Sequence, residues 1–288
     1  MTGGPPRVSL RPVKPVDEWT VRVLRALDPV MLAARCDYFV AGATARDLVL
    51  VHVHGLEPGK ATRDIDFAIA VENWDKFMRL KELLVATRSF EASRAPHRMM
   101  YLDEATATRI PIDLVPFGGI ASSDGIIEWP PTRDTIMQVA GFPEVLRSSV
   151  LLEVEGFVVR VASLPGLVVM KLFAWSDRGY ETQKDAVDLH QVIRSYAQAG
   201  NLGRLFGSES HLLESAGGDL SMAGAELLGC DVRRLCSPGV LGQIRALLGR
   251  PLDLERLILQ MEQTTYEEAR PEVGRNVEAF LRGIFYDE

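Results

Sequence analysis

The chain has 288 residues, of which 47% are hydrophobic, and carries a net charge of −7 at neutral pH. This is globular composition, and the length predicts about two domains at roughly 100–200 residues each. The acidic balance excludes nucleic-acid binding by bulk charge, so a polyanionic substrate has to be gripped by a local basic patch or through metal.

Residues 1–15 are rich in Pro, Gly and Arg and are expected to be a flexible arm. "DEWTVRVLRALDPVMLAARC" sets Val21, Val23, Leu24 and Leu27 at helical spacing, with Asp17 as the cap. "DYFVAG" reads as a short apolar strand ending at Gly42, and "ATARDLVLVHVHG" continues as a helix. The turn-rich "GLEPGKATRD" leads into a strand over residues 64–71. "ENWDKFMRLKELLVAT" is an amphipathic helix through Trp74, Phe77, Leu80, Leu83 and Leu84. "RMMYLD" and "IPIDLVPF" read as two strands separated by the polar "EATATR". "SSDGIIEWPPTRD" reads as a loop anchored by Trp129 in preference to a substrate-contacting loop. "LLEVEGFVVRV" is a hairpin turning at Glu155-Gly156. Beyond Pro165 nearly everything to Glu288 has helical character. The expected fold is α+β, with a domain over residues 16–165 followed by a helical C-terminal domain over 166–288.

Cys36, Cys230 and Cys236 are scattered, without a CxxC pair, which points to free thiols in a reducing cytoplasm. The N-terminal residues lack an apolar signal-peptide core, and no apolar run approaches about 18 residues, so no membrane partner is expected. His52 and His54 have no third ligand nearby for a zinc site. Arg233, Arg234 and Arg245 lie on amphipathic C-terminal helices and are read as facing water in preference to touching RNA.

The stretch "TRDIDFAIAV" raises the functional question. Side chains alternate along a strand, so Ile65, Phe67 and Ile69 share one face while Asp64, Asp66, Ala68 and Ala70 share the other. Two unpaired carboxylates this close repel each other, and burial raises that cost. The small residues beyond them leave room for an approaching group. One explanation is an exposed strand end at which the acids pair with Arg63 or Lys60. The other is a site for cations, and hard carboxylate oxygens suit Mg²⁺ or Mn²⁺. Asp113 favours the second, because it too interrupts an apolar strand, opposite Ile112 and Leu114. Three converging carboxylates suit a two-metal site for in-line displacement. Upstream, "FVAGATARDL" is a strand, then Gly42, then a helix start, where free backbone N–H groups attract phosphate and Thr44 adds a hydroxyl.

A glycine turn, a DxD strand and a later strand with a single Asp together resemble the DNA polymerase β-like nucleotidyltransferase superfamily. "GATARDLVL…TRDIDFAIAV" is similar to the Gly-x-x-x-Arg-Asp plus DxD pattern of tRNA CCA-adding enzymes. "LVVMKLFAWSDRGYETQKDAVDL" is more like the AbiEii/AbiGii toxin-type nucleotidyltransferases, where a Lys, an Arg and a Lys-Asp pair follow the catalytic domain. The resemblance spans roughly residues 36–192, with four motifs in order. It implies a mixed β-sheet with flanking helices. It also implies that Asp64, Asp66 and Asp113 bind metal and are catalytic, and that Gly42, Ala43, Thr44 and Arg46 contact the nucleotide. The implied reaction moves a nucleoside monophosphate from an NTP to an acceptor hydroxyl. RNA such as tRNA is the favoured acceptor over protein or a small molecule, and an antitoxin is a potential partner. The superfamily usually has Gly-Ser or Gly-Gly at the turn; Ala43 keeps the backbone N–H but loses the side-chain hydroxyl contact, which leaves Thr44 as the substitute.

Lys171 interrupts the most apolar helical stretch and needs a partner or a purpose. Snorkelling to solvent would serve; the resemblance favours catalysis and nucleotide binding by Lys171, with Arg178 two turns along the same face and Asp185 orienting one of them. Lys184 and Asp188 read as a solvated helix face. The alternative to an enzyme is a non-catalytic nucleotide-sensing or partner-binding module on the same fold.

Overall fold

The alternating stretch after Asp64 becomes the strand that orders the first half of the molecule. The computed structural model describes residues 9–59, 62–263 and 265–286. Its strands are β1 (Ser9–Leu10), β2 (Tyr38–Ala41), β3 (Ile65–Val71), β4 (Phe90–Ala92), β5 (Arg98–Asp103), β6 (Thr108–Gly118), β7 (Ile126–Glu128), β8 (Ile136–Gln138), β9 (Val150–Val154) and β10 (Phe157–Val161). Eight of them form one mixed sheet in the order β1-β9-β10-β2-β3-β6-β5-β4, while β7 and β8 pair separately. The helices of this half are α1 (Glu18–Ala33), α2 (Gly42–Asp47), α3 (Trp74–Ala86) and α4 (Phe142–Ser148); α2 runs on as a π-helical turn over Leu48–Val53. The fold class is the expected one: a mixed sheet with flanking helices, then a helical region.

Period-two patterning explains the core. Ile65, Phe67 and Ile69 are fully buried. On that face Tyr38 of β2 donates its hydroxyl to Asp28 of α1 at 2.7 Å, and Arg22 of α1 pairs with Asp103 of β5 at 2.7 Å. The other face differs from expectation. Ala68 is fully buried, and the space above the alanines is filled by the rings of Phe39, Phe117 and Phe142, whose centroids stand 5.6–6.3 Å apart. The small residues make room for neighbouring aromatic side chains, and only the acid end of the strand is left open.

Local expectations meet the structure unevenly. The hairpin turns at Glu155-Gly156, both with positive φ (43° and 84°), as a tight two-residue turn requires. Asn73 caps α3 by accepting the Lys76 N–H at 2.8 Å. Asp17 stands at the N-cap of α1 but makes no side-chain cap bond. Leu83 faces outward, because α3 buries only Phe77, Leu80 and Leu84. Of the expected arm, residues 1–8 lie outside the described residues. The rest is tied down: Ser9 and Leu10 pair with Leu151 and Leu152, and the N–H groups of Val13 and Lys14 donate to the His52 carbonyl.

Two compact units result, Met1–Ser163 and Leu164–Glu288. The second comprises α5 (Leu164–Arg178), α6 (Lys184–Ser195), α7 (Leu202–Leu205), α8 (Ser210–Ser215), α9 (Leu220–Leu235), α10 (Pro238–Leu248), α11 (Pro251–Glu262) and α12 (Arg270–Phe285). Its arginines do not simply face water. Arg233 donates to the Tyr286 carbonyl and Arg245 to that of Ile284, satisfying acceptors at the end of α12, while Arg234 reaches Glu209 and Asp231. No described helix is long and apolar enough to cross a membrane.

Helices α9 and α12 approach through glycine. A Cβ on Gly283 would lie 2.2 Å from the Glu226 carbonyl oxygen, and one on Gly229 would lie 2.2 Å from that of Phe280. Gly283→Ala should therefore cost about 1–3 kcal/mol by overpacking. Gly274→Ala, on the same helix with nothing within 4 Å, should be neutral or stabilise by up to about 1 kcal/mol through helix propensity. Urea midpoints of the two variants that fall in the reverse order would rule out glycine contact as the reason for the close approach.

Candidate active site

Strand register collects the chemistry. Ala41 of β2 pairs with Asp66 of β3, Asp66 with Asp113 of β6, and Asp113 with Arg98 of β5. Directly paired residues project to the same face of a sheet, so Asp66, Asp113 and Arg98 form a row across three adjacent strands. Asp64 immediately precedes β3 and stands two residues before Asp66.

Gly42 closes the row at its β2 end. It has φ of +64°, and a Cβ there would lie 1.7 Å from Oδ2 of Asp66. The glycine is thus required twice, for its left-handed backbone and because the Asp66 carboxylate occupies the space of a side chain. Ala43 is half-buried in the first turn of α2. Thr44 is buried and donates its hydroxyl to the Asp64 backbone carbonyl at 3.2 Å, tying the turn to the start of the acidic strand. The hydroxyl expected to replace the missing phosphate contact is turned inward. Arg46 is likewise only 2% exposed, with Nε 2.8 Å from Oδ1 of Asp47. It sits in the interior, where its contact with Asp47 supports the turn.

Arg98 is the residue that sequence reasoning missed. Its guanidinium forks onto Asp113, with Nε to Oδ1 and Nη2 to Oδ2 both at 2.7 Å, and Nη2 also reaches Oδ2 of Asp64 at 3.3 Å. The hydrogen bond to Asp113 is the main reason that the arginine's pKa is raised, with the Asp113, Asp64 and Asp66 charges adding to it against partial burial. The other oxygen of Asp64 accepts from the Thr62 hydroxyl. Asp64 therefore pairs with Arg98 and not with Arg63, and Lys60 lies outside the described residues. The hairpin register was the available signal: Asp103 opposite Thr108 obliges Arg98 to stand opposite Asp113. His97 reinforces this register, its carbonyl accepting the Leu114 N–H at 2.7 Å. Its ring packs 5.9 Å from that of Trp129, which is buried against Trp74 (5.3 Å) and Phe77 (5.7 Å) and anchors its loop as expected.

The donor set suits a hard divalent cation in kind: three carboxylates at one end of a sheet. The closure of a metal cage is absent, because among the described residues no three acidic, histidine or cysteine side chains stand close enough to enclose an ion. The cation in contact with Asp64 and Asp113 is the Arg98 guanidinium.

In the second unit, Lys171 and Arg178 on α5 meet the start of α6. Lys171 Nζ lies 3.0 Å from Asp185 and 2.6 Å from Asp188, and Arg178 Nε lies 2.7 Å from Asp185. Asp188 is thus buried in the network and does not belong to a solvated face with Lys184. Burial opposes ionisation of Asp185, but Arg178 and Lys171 outweigh it and hold its carboxyl below the ordinary value. Burial likewise works against the Lys171 charge, and Asp188 and Asp185 more than restore it. The two cations and two anions balance. Lys171 is only 15% exposed, so Arg178, at 53%, is the member that presents charge to solvent.

A lowered carboxyl pKa stabilises the fold fully above the unfolded value near 3.8 and loses that stabilisation as pH falls through the folded value. Asp185→Asn should therefore cost about 3–5 kcal/mol near neutrality by stranding Lys171 and Arg178. The gap between variant and wild type in denaturant titrations should narrow below pH 3.8; a gap independent of pH would argue that the carboxylate charge is not what matters. For the turn, Gly42→Ala should cost about 1–3 kcal/mol. In an Asp66→Ala background the cost should shrink to the backbone part, about 1 kcal/mol. Strict additivity in that double-mutant cycle would refute the steric link.

No curated protein matches the sequence. Among solved structures, an antigenic nucleotidyltransferase-like protein from Paracoccidioides brasiliensis is 18% identical with a TM-score of 0.43, over 73% of this chain and 94% of its own. The antibiotic-resistance factor ANT(2″)-Ia, in complex with adenylyl-2″-tobramycin, is 14% identical with a TM-score of 0.35, over 69% of this chain and 96% of its own. The Thermotoga maritima CCA-adding enzyme complexed with tRNA is 12% identical with a TM-score of 0.27, over 96% and 81%. The model of the nucleotidyl transferase AbiEii toxin family, of type IV toxin–antitoxin systems, matches residues 32–287, so this chain belongs to that family and is a nucleotidyltransferase.

Proposed function

We propose that the protein transfers a nucleoside monophosphate from an NTP to a hydroxyl on RNA such as tRNA, dependent on Mg²⁺ or Mn²⁺, as the toxin of a cytoplasmic toxin–antitoxin pair. The observation that carries this reading is the register of Asp66 opposite Asp113, with Gly42 clearing the space in front of Asp66. Asp64, Asp66 and Asp113 would hold the metal. When bound, it would neutralise phosphate charge and favour a nucleophilic alkoxide.

The chain's own residues supply the positioning. The β3–β6 ladder fixes Asp66 and Asp113, and Thr44 and Thr62 hold Asp64 through its carbonyl and its carboxylate. Asp113 accepts the proton of the attacking hydroxyl. The backbone N–H groups of Gly42 and Ala43 face the triphosphate, and pyrophosphate is the leaving group. Arg178, oriented by Asp185, offers its exposed guanidinium to phosphate, and Lys171 keeps Asp185 ionised. Catalysis then consists mostly of placement and charge neutralisation. With a net charge of −7, any RNA grip must be local.

The test is transfer of label from each NTP, with Mg²⁺, to total RNA, to protein or to the enzyme itself, followed by sequencing of labelled RNA. Wild type should label RNA. Asp66→Asn should lower the rate roughly a thousandfold, about 4 kcal/mol of transition-state stabilisation. Nucleotide binding without transfer to any acceptor would favour a nucleotide-sensing module and sink the enzymatic reading.

A further inference from the structure

The row of carboxylates already holds a cation, and it belongs to the chain. Arg98 engages both oxygens of Asp113 and one oxygen of Asp64. Asp113 is 13% exposed beneath the Arg98 fork, while Arg98 and Asp64 are open to solvent to a similar degree, at 35% and 36%. A divalent ion bound to Asp113 and Asp64 would need the same oxygens and the same small volume, and two like charges a few ångströms apart repel strongly in a partly buried site.

We propose that Arg98 is a built-in counter-ion: it neutralises Asp113 and Asp64 while the site is free of metal, and a divalent cation enters only by displacing it. The exchange rests on the metal-dependent reading above and adds a residue to it. Without metal, three carboxylates at one sheet end would repel each other; the guanidinium removes that cost. It also sets a threshold, since the metal must outbid a bidentate ion pair before the carboxylates become its ligands. A merely structural arginine would hold the acids in position for the metal, and its loss would weaken metal binding. A competing arginine predicts the opposite.

The experiment is Mn²⁺ binding to the full chain, followed by the electron paramagnetic resonance of free Mn²⁺, for wild type, Arg98→Gln, Arg98→Lys and Asp113→Asn. Thermal melts with and without Mn²⁺ report folding. Arg98→Gln should bind Mn²⁺ at least tenfold more tightly than wild type, and its melting temperature should rise more on adding Mn²⁺. Arg98→Lys should fall between them, because an ammonium keeps the charge but cannot fork onto a carboxylate. It also carries the test if the glutamine variant does not fold. Asp113→Asn should lose binding. Equal affinity in wild type and the Arg98 variants, with Asp113→Asn deficient, would overturn the exchange and leave the metal reading standing. Weaker binding in Arg98→Gln, restored by lysine, would also overturn it and make Arg98 a support for the acids. No Mn²⁺ bound by any of the proteins would overturn both.

Discussion

Repulsion among carboxylates is the constraint on which the first half of this structure turns. Asp64, Asp66 and Asp113 are brought to one end of a sheet whose remaining length is packed with aromatic and aliphatic side chains. A fold does not gather like charges there for stability, since each is costly to desolvate and each raises the cost of the others. The arrangement is tolerated because opposite charge is supplied, here by the Arg98 fork. Gly42 yields its side-chain volume to Asp66, and Thr44 and Thr62 hold Asp64. The glycine turn and the acidic strand are therefore one structural unit, although some 20 residues separate them.

The helical unit meets a similar problem with a different solution. Lys171 lies in the most apolar helix, and its charge is retained because Asp185 and Asp188 reach it from α6. Arg178 completes the balance and keeps an exposed side. Removing any one member strands the others, which is why such networks are poor places to substitute singly. The motif that marks this stretch is first of all a neutral ion cluster of Lys171, Arg178, Asp185 and Asp188, and within that cluster the arginine presents charge outward.

Several elements of the fold were legible from local pattern. The helix spacing of residues 74–86, the place of the turn at Glu155-Gly156, the two strands on either side of "EATATR" and the anchoring of Trp129 follow from periodicity and turn chemistry, which depend on near neighbours in sequence. Other features were not. Ala68 looked like open space because its covering rings come from Phe39, Phe117 and Phe142, on three other elements. Arg46 and Thr44 looked available because a motif records residue type and not direction. Asp188 looked solvated because its partner lies 17 residues earlier on another helix.

The sequence by itself determined that acids interrupt two apolar strands, that a glycine turn precedes them, and that the whole resembles a nucleotidyltransferase. Alternation and turn propensity act over a few residues, so these survive without coordinates. The hairpin register that sets Arg98 opposite Asp113 was within reach too, since an antiparallel turn fixes every later pair. Only the tertiary structure decided that Asp66 stands beside Asp113, because β3 and β6 are parallel and the intervening crossover imposes no register. It also decided that the cation between the acids is the chain's own arginine, since a guanidinium finds its carboxylates by distance in space and not by spacing along the chain.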